Sequence, residues 1–124
     1  MTLDYGLRAG QFLAPERGQG TLRAYRKHAL APDPLTDPGE QDLTAHVNFT
    51  ALQRAGERAG LQTESFVSQS TFLTQVAQQS WKVESTLGAW TQASVRQFQT
   101  LTHPEHLGRA FQVLIQKRTD DERV

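Results

Sequence analysis

Cysteine is absent from the 124 residues. Its absence removes disulfides, thiolate metal sites and cysteine nucleophiles together, and suits a cytoplasmic protein. Long apolar runs are missing too. Nothing approaches the roughly 18 residues of a membrane-spanning helix, and residues 1–20 lack a signal peptide's apolar stretch. Neither sign of charge is in excess, with 13 Lys and Arg against 13 Asp and Glu. That balance gives no electrostatic reason to expect nucleic acid or a membrane as partner. There is no internal repeat and no low-complexity tract. What remains is 37% hydrophobic residues and nine glycines, an ordinary globular mixture sized for one compact domain.

Along the chain, Thr2-Leu3-Asp4-Tyr5-Gly6 reads as the end of a buried strand running into a turn. Residues 7–20 lack helical or alternating period and read as loop. Thr21–Arg26 alternates weakly, as a short strand would. From Ala31 to Asp42 turn chemistry dominates, in Pro32-Asp33-Pro34 and Asp37-Pro38-Gly39; proline fixes φ and restricts the residue before it, so regular structure is not expected. Phe49, Leu52, Ala55 or Gly56, and Ala59 then recur at helical steps, with Asn48 as N-cap and Gly60 where a left-handed residue ends the helix. Leu61–Val67 reads as a strand, although its alternation is poor. Ser70–Trp81 is helical again. Val83, Leu87, Trp90, Ser94, Phe98 and Leu101 continue as a long amphipathic helix broken at His103-Pro104. Last comes the clearest strand, Ala110–Gln116. It alternates, but Leu114 makes its centre apolar on both faces, which belongs inside a covered sheet rather than at a solvated edge. The end of the chain, 118–124, is a charged tail. Interleaved helices and strands point to α/β layering on a mainly parallel sheet. Two or three strands cannot build such a sheet alone, so the reading expects further strands from elsewhere.

The text Asp33-Pro34-Leu35 … Asp37-Pro38-Gly39-Glu40-Gln41-Asp42-Leu43-Thr44-Ala45-His46-Val47-Asn48-Phe49-Thr50-Ala51-Leu52 resembles the signature of the MidA family of methyltransferases. Asp4-Tyr5-Gly6, Thr21-Leu22-Arg23-Ala24-Tyr25, Ser68-Gln69-Ser70-Thr71-Phe72-Leu73 and Gly108-Arg109-Ala110-Phe111-Gln112-Val113-Leu114 resemble further family segments. The likeness covers residues 1–117 and about the last third of a family chain. It implies the carboxy-terminal half of a Rossmann-like class I methyltransferase sheet. Met1–Tyr5 would be its fifth strand, Leu61–Val67 its sixth, and Phe111–Gln116 its seventh, antiparallel and inserted between the other two. It also implies S-adenosylmethionine as cofactor of the complete enzyme, a protein substrate methylated on arginine, and an amino-terminal methyltransferase half as partner. The alternatives from other classes are a non-enzymatic interaction module and half of a split enzyme.

Departures are present. Asn48 stands where the family commonly has aspartate, and both cap helices. Gln112 replaces a usual lysine. The family's Gly-rich loop and ribose-binding acidic residue have no counterpart, since Gly18-Gln19-Gly20 leads into a strand-like segment instead of a helix. The chain alone is therefore expected to bind the donor poorly.

The resemblance puts Asp4 and Tyr5 at the carboxyl end of a strand, where ligands of open α/β sheets gather. They are acceptor-pocket candidates; the plainer reading has Asp4 capping a turn and Tyr5 packing. Asp42 and His46 share a face if residues 42–46 are helical, and such a pair can orient an imidazole to accept a proton; the plainer reading is a capping contact. Arg23, Arg26, Lys27 and His28 form a basic cluster, either a dock for an acidic partner or a solvated face. Gln69 either bonds into the cleft or satisfies a helix end. His103-Pro104-Glu105-His106 offers ligand types, but no third strong ligand lies near and no metal is expected. Trp81, Trp90 and Phe98 belong to an apolar stripe rather than a base-stacking platform.

Overall fold

The computed structural model describes residues 1–82 and 90–118, the side chains of Trp81 and Lys82 excepted. In chain order the elements are β1 (Thr2–Leu7), α1 (Ala9–Phe12), a 3-10 turn (Pro15–Arg17), β2 (Arg23–Arg26), β3 (Ala29–Ala31), β4 (Asp42–Thr44) and β5 (Val47–Asn48). There follow α2 (Phe49–Arg58), β6 (Leu61–Ser68), α3 (Gln69–Lys82), α4 (Gln92–Thr102), α5 (Leu107–Ala110) and β7 (Phe111–Arg118). They form two compact units where composition suggests one domain: Met1–Tyr5 with the chain from Gln53 onward, and Gly6–Leu52.

In the first unit β7 lies between β1 and β6 and runs antiparallel to both. Tyr5 pairs with Phe111 and Thr2 with Leu114 on one flank; Phe66 pairs with Leu114 and Val67 with Val113 on the other. Val113 and Leu114 are 0% and 1% exposed, among the most buried side chains of the molecule. The doubly apolar centre of this strand thus has neighbours on both flanks, as its pattern requires. β1 and β6 run parallel to each other with β7 wedged between them, and the sheet is mixed rather than mainly parallel. A register shift between Thr63 and Ser65 interrupts β6. One extra residue shifts the inward face by a step, which is why the alternation of Leu61–Val67 is poor in the sequence. Glu64, at that bulge, pairs with Lys117 at 2.6 Å.

The helices of this unit follow their sequence signals, with one shift. Gly60 has φ +86°, the left-handed geometry that ends α2. α3 packs against α4, α5, β6 and β7 and buries Ala77. α4 begins later than the apolar stripe suggests, because Thr91 caps it by accepting the Ser94 N–H at 3.1 Å. Trp90 therefore precedes the helix, its ring edge-on to Phe98 at 5.3 Å. Val83 and Leu87 lie outside the described residues, as do the Trp81 side chain and residues 119–124 of the expected tail. α4 ends at His103, extended before Pro104. β7 continues through Lys117 and Arg118, further than Gln116.

The second unit is a small antiparallel sheet of order β3-β2-β4 plus the parallel pairing of Gly6 and Leu7 with Val47 and Asn48. Only glycine fits at position 6, since a Cβ there would run into the Val47 carbonyl and the Phe49 ring. Phe49 itself is 1% exposed. Residues 7–20, expected as loop, contain the single turn of α1 and the 3-10 turn. β2 and β3 join through Lys27 and His28, both at positive φ (49° and 65°), a two-residue turn of the type that suits the twist of a hairpin. The proline-rich stretch is irregular yet internally bonded. Asp33 accepts the Leu35 N–H at 2.8 Å, Gln41 donates to the carbonyls of Asp33 and Thr36, and Arg26 pairs with Asp37 at 2.7 Å.

Candidate functional site

Asp4 and Tyr5 sit in the part of β1 that pairs with β7, opposite Gln112 and Phe111. Both are half-buried. The Asp4 carboxylate accepts the Tyr5 backbone N–H at 2.8 Å, within a strand that continues to Leu7 instead of turning at Gly6. Tyr5 presents its ring edge-on to Phe111, with centroids 5.6 Å apart. Tyr5 thus packs on Phe111, whereas Asp4 lies within the strand and caps no turn.

Asp42 and His46 belong to the second unit, and the helical premise for pairing them does not hold. Asp42–Thr44 is strand β4, and no helical turn lies between Asp42 and Phe49. The strand register sets their separation instead. Tyr25 pairs with Asp42 and Arg23 with Thr44; one step further, Thr21 faces His46, whose N–H donates to Thr21 Oγ1 at 3.1 Å. Alternate residues of an extended chain point the same way, but four residues span about 13 Å rather than one helical turn. No hydrogen bond or ion pair joins Asp42 to His46 among the described residues. Asp42 is exposed, and His46 is partly covered.

His46 has a different electrostatic setting from the one expected. Burial lowers its pKa below the ordinary 6.5, and the charges of Arg17 and then Arg23 lower it further. This setting favours the neutral imidazole over the charged form. Thr21 is buried at 6% exposure. Sequence reading passed over both Thr21 and Arg17. Nothing in the alternation of residues 21–26 marks Thr21, since the buried members, Thr21 and Ala24, are three apart.

Other residues singled out in the sequence make local contacts. Gln69, 5% exposed, donates from Nε2 to the Leu101 carbonyl at 2.8 Å and so satisfies the last turn of α4. Asn48 Oδ1 accepts the Ala51 N–H at 3.1 Å, the expected cap of α2. The rings of His103 and His106 stand 4.9 Å apart, and His103 Nδ1 accepts the Glu105 N–H at 3.2 Å. No group of three or more metal-ligating side chains occurs among the described residues. The described residues also do not fit an adenosyl donor. Gly18–Gly20 leads into β2, and the helix after β1 is one turn long with Arg8, not a side-chain cap, at its start. No helix of the described residues is long and apolar enough to cross a membrane.

Comparison with known proteins agrees with this architecture. A COG1565 superfamily member from Burkholderia thailandensis, bound in its crystal structure to S-adenosyl-homocysteine, is similar with a TM-score of 0.76 and 30% identity. That likeness covers 94% of this chain and 30% of the other. A second structure, of an uncharacterized COG1565 superfamily protein from the same organism in its native form, gives 0.77 and 30% identity over 94% of this chain and 32% of that one. The chain thus spans about a third of the length of these relatives. No curated protein matches it. Residues 1–67, more than half the chain, match the family described as "Putative S-adenosyl-L-methionine-dependent methyltransferase". To that methyltransferase family the chain belongs.

Proposed function

We propose that this chain is the carboxy-terminal, acceptor-side portion of a MidA-type methyltransferase. The complete polypeptide would move a methyl group from S-adenosylmethionine to a protein nitrogen, arginine by the family resemblance. The observation that carries the reading is β7, hydrogen-bonded antiparallel to β1 on one side and β6 on the other. This is the inserted last strand that the resemblance implies.

The donor supplies an already activated methyl group, so the protein's contribution is alignment and exclusion of water rather than a catalytic triad. On this reading Asp4 and Tyr5 in one unit, and Asp42 and His46 in the other, are acceptor-side residues. His46 has the role of neutral proton acceptor, without Asp42 to orient it. The donor cradle lies outside residues 1–124. Calorimetry with S-adenosylmethionine tests this. Residues 1–124 should bind more weakly than about 1 mM, and a dissociation constant near 1 μM, about −8 kcal/mol, would overturn the incompleteness.

One feature favours a second reading, half of a split enzyme. Thr2–Tyr5 pair with β7 on one flank, and among the described residues no strand pairs with them on the other. A strand flank without a neighbouring strand is a template for another chain. Co-expression with a Gly-rich strand–turn–helix polypeptide, followed by co-purification and a donor-dependent methylation assay, separates the two. A stable complex supports the split enzyme, whereas activity only from one continuous polypeptide supports the first reading.

A further inference from the structure

In the Gly6–Leu52 unit the buried hydrophobic residues are Ala24 and Phe49, while Leu13, Leu22, Tyr25, Leu30, Leu35 and Leu43 stand exposed. A unit of fewer than about 70 residues with so little core needs a disulfide, a metal or another apolar surface to complete it. The chain has no cysteine, and no cluster of metal-ligating side chains occurs among the described residues. An apolar surface is the remaining means. The small sheet shows where it is wanted. Its order is β3-β2-β4, so the connection from Ala31 to Asp42 has to pass across β2. Arg26, which shares a face with Ala24, pairs with Asp37 of that connection at 2.7 Å. The opposite face carries Tyr25 and, directly across from it, Leu30, which are 37% and 62% exposed. Directly opposed side chains on neighbouring strands lie about 5 Å apart, so the two form one apolar patch. Arg23, Thr44 and Asp42 border it as a polar rim.

We propose that the Tyr25–Leu30 face is a docking surface for an apolar segment of the complete polypeptide outside residues 1–124. The inference rests on the reading of this chain as one portion of a longer enzyme, and it names a surface on which the remainder packs. The relatives supply the length, since this chain spans 30% and 32% of theirs. Area decides between occupants. Four strand residues at about 3.3 Å each, across three strands about 4.8 Å apart, cover roughly 200 Å². A stable contact between separate proteins takes about 800 Å² on each partner. A second copy of the chain therefore finds too little to hold through this face alone. A segment of the same polypeptide is kept nearby by its connection, at an effective concentration of up to about millimolar, and needs far less.

The test is hydroxyl-radical footprinting, read by mass spectrometry, on residues 1–124 and on the complete polypeptide. Tyr25 and Leu30 should label at least about fivefold more slowly in the complete polypeptide, because the core of such a contact excludes water. The Tyr25→Thr, Leu30→Thr double variant keeps strand-forming side chains but removes the apolar patch. It should lower the melting temperature of the complete polypeptide and leave that of residues 1–124 unchanged. An equal drop in both overturns the docking surface, since the two residues then support the small sheet itself. Equal labelling in both forms also overturns it. Protection already present in residues 1–124, and growing as that chain is concentrated, overturns the assignment in favour of a second copy. None of these results touches the incompleteness of the chain, which donor calorimetry on residues 1–124 decides separately.

Discussion

Two single residues show how local geometry sets what the chain tolerates. Gly6 closes the parallel pairing of β1 with β5, with the Val47 carbonyl and the Phe49 ring where a side chain would project. Gly6→Ala should cost about 1–3 kcal/mol, the usual penalty of overpacking, because backbone and a buried aromatic ring cannot swing aside. A lower urea midpoint with an unchanged slope would be the signature. His46 gives a pH dependence with a definite sign. Its pKa in the folded chain is below 6.5, through burial and the two arginines. As the pH drops beneath 6.5 the unfolded chain takes up a proton that the folded one resists. Stability that is complete above 6.5 is then lost progressively as the pH falls toward the folded value. The urea midpoint should decrease between about pH 7.5 and about pH 5.5, and His46→Asn should flatten that dependence.

At the level of elements, the β2–β3 hairpin is built on residues that its turn does not favour. Lys27 and His28 both adopt positive φ, where asparagine and glycine are the usual occupants. The paired change Lys27→Asn and His28→Gly should raise stability by about 1 kcal/mol, read as an upward shift in melting temperature. The same hairpin explains why this part of the fold was hard to read in the sequence. Without Asn-Gly or Gly-rich punctuation, Ala29–Ala31 blends into the prolines that follow, and three-residue strands such as β3 and β4 are too short to show a period. By contrast α2 was legible because Asn48 and Gly60 mark both ends chemically. β7 was legible because its composition demanded cover on two sides. The pairing of Asp42 with His46 failed for a related reason: four residues mean proximity only on a helix, and the intervening Leu43 and Thr44 are extended.

For the molecule as a whole, the sheet logic came through and the division into two units did not. Apolar periodicity reports which residues want cover, whereas the partition depends on where the turn-rich stretch from Ala31 to Asp42 finds its partners, which here include its own Asp33 and Thr36 and the nearby Arg26. The flank of β1 that carries no strand over Thr2–Tyr5 among the described residues has a consequence in solution. Leu3 is 41% exposed, so concentrated protein should self-associate through this flank. Leu3→Lys should shift the size-exclusion profile toward the monomer, as charged side chains do on natural edge strands. The position of β7 bears also on how the chain reaches its structure. The strand that joins β1 to β6 is the last of the three to leave the ribosome. Until then β1 has no bridge to β6, and sheet closure must wait for contacts between the most sequence-distant segments. Assembly should accordingly be slow for a protein of this size, with its rate-limiting event the threading of one late segment into a gap held open by two early ones.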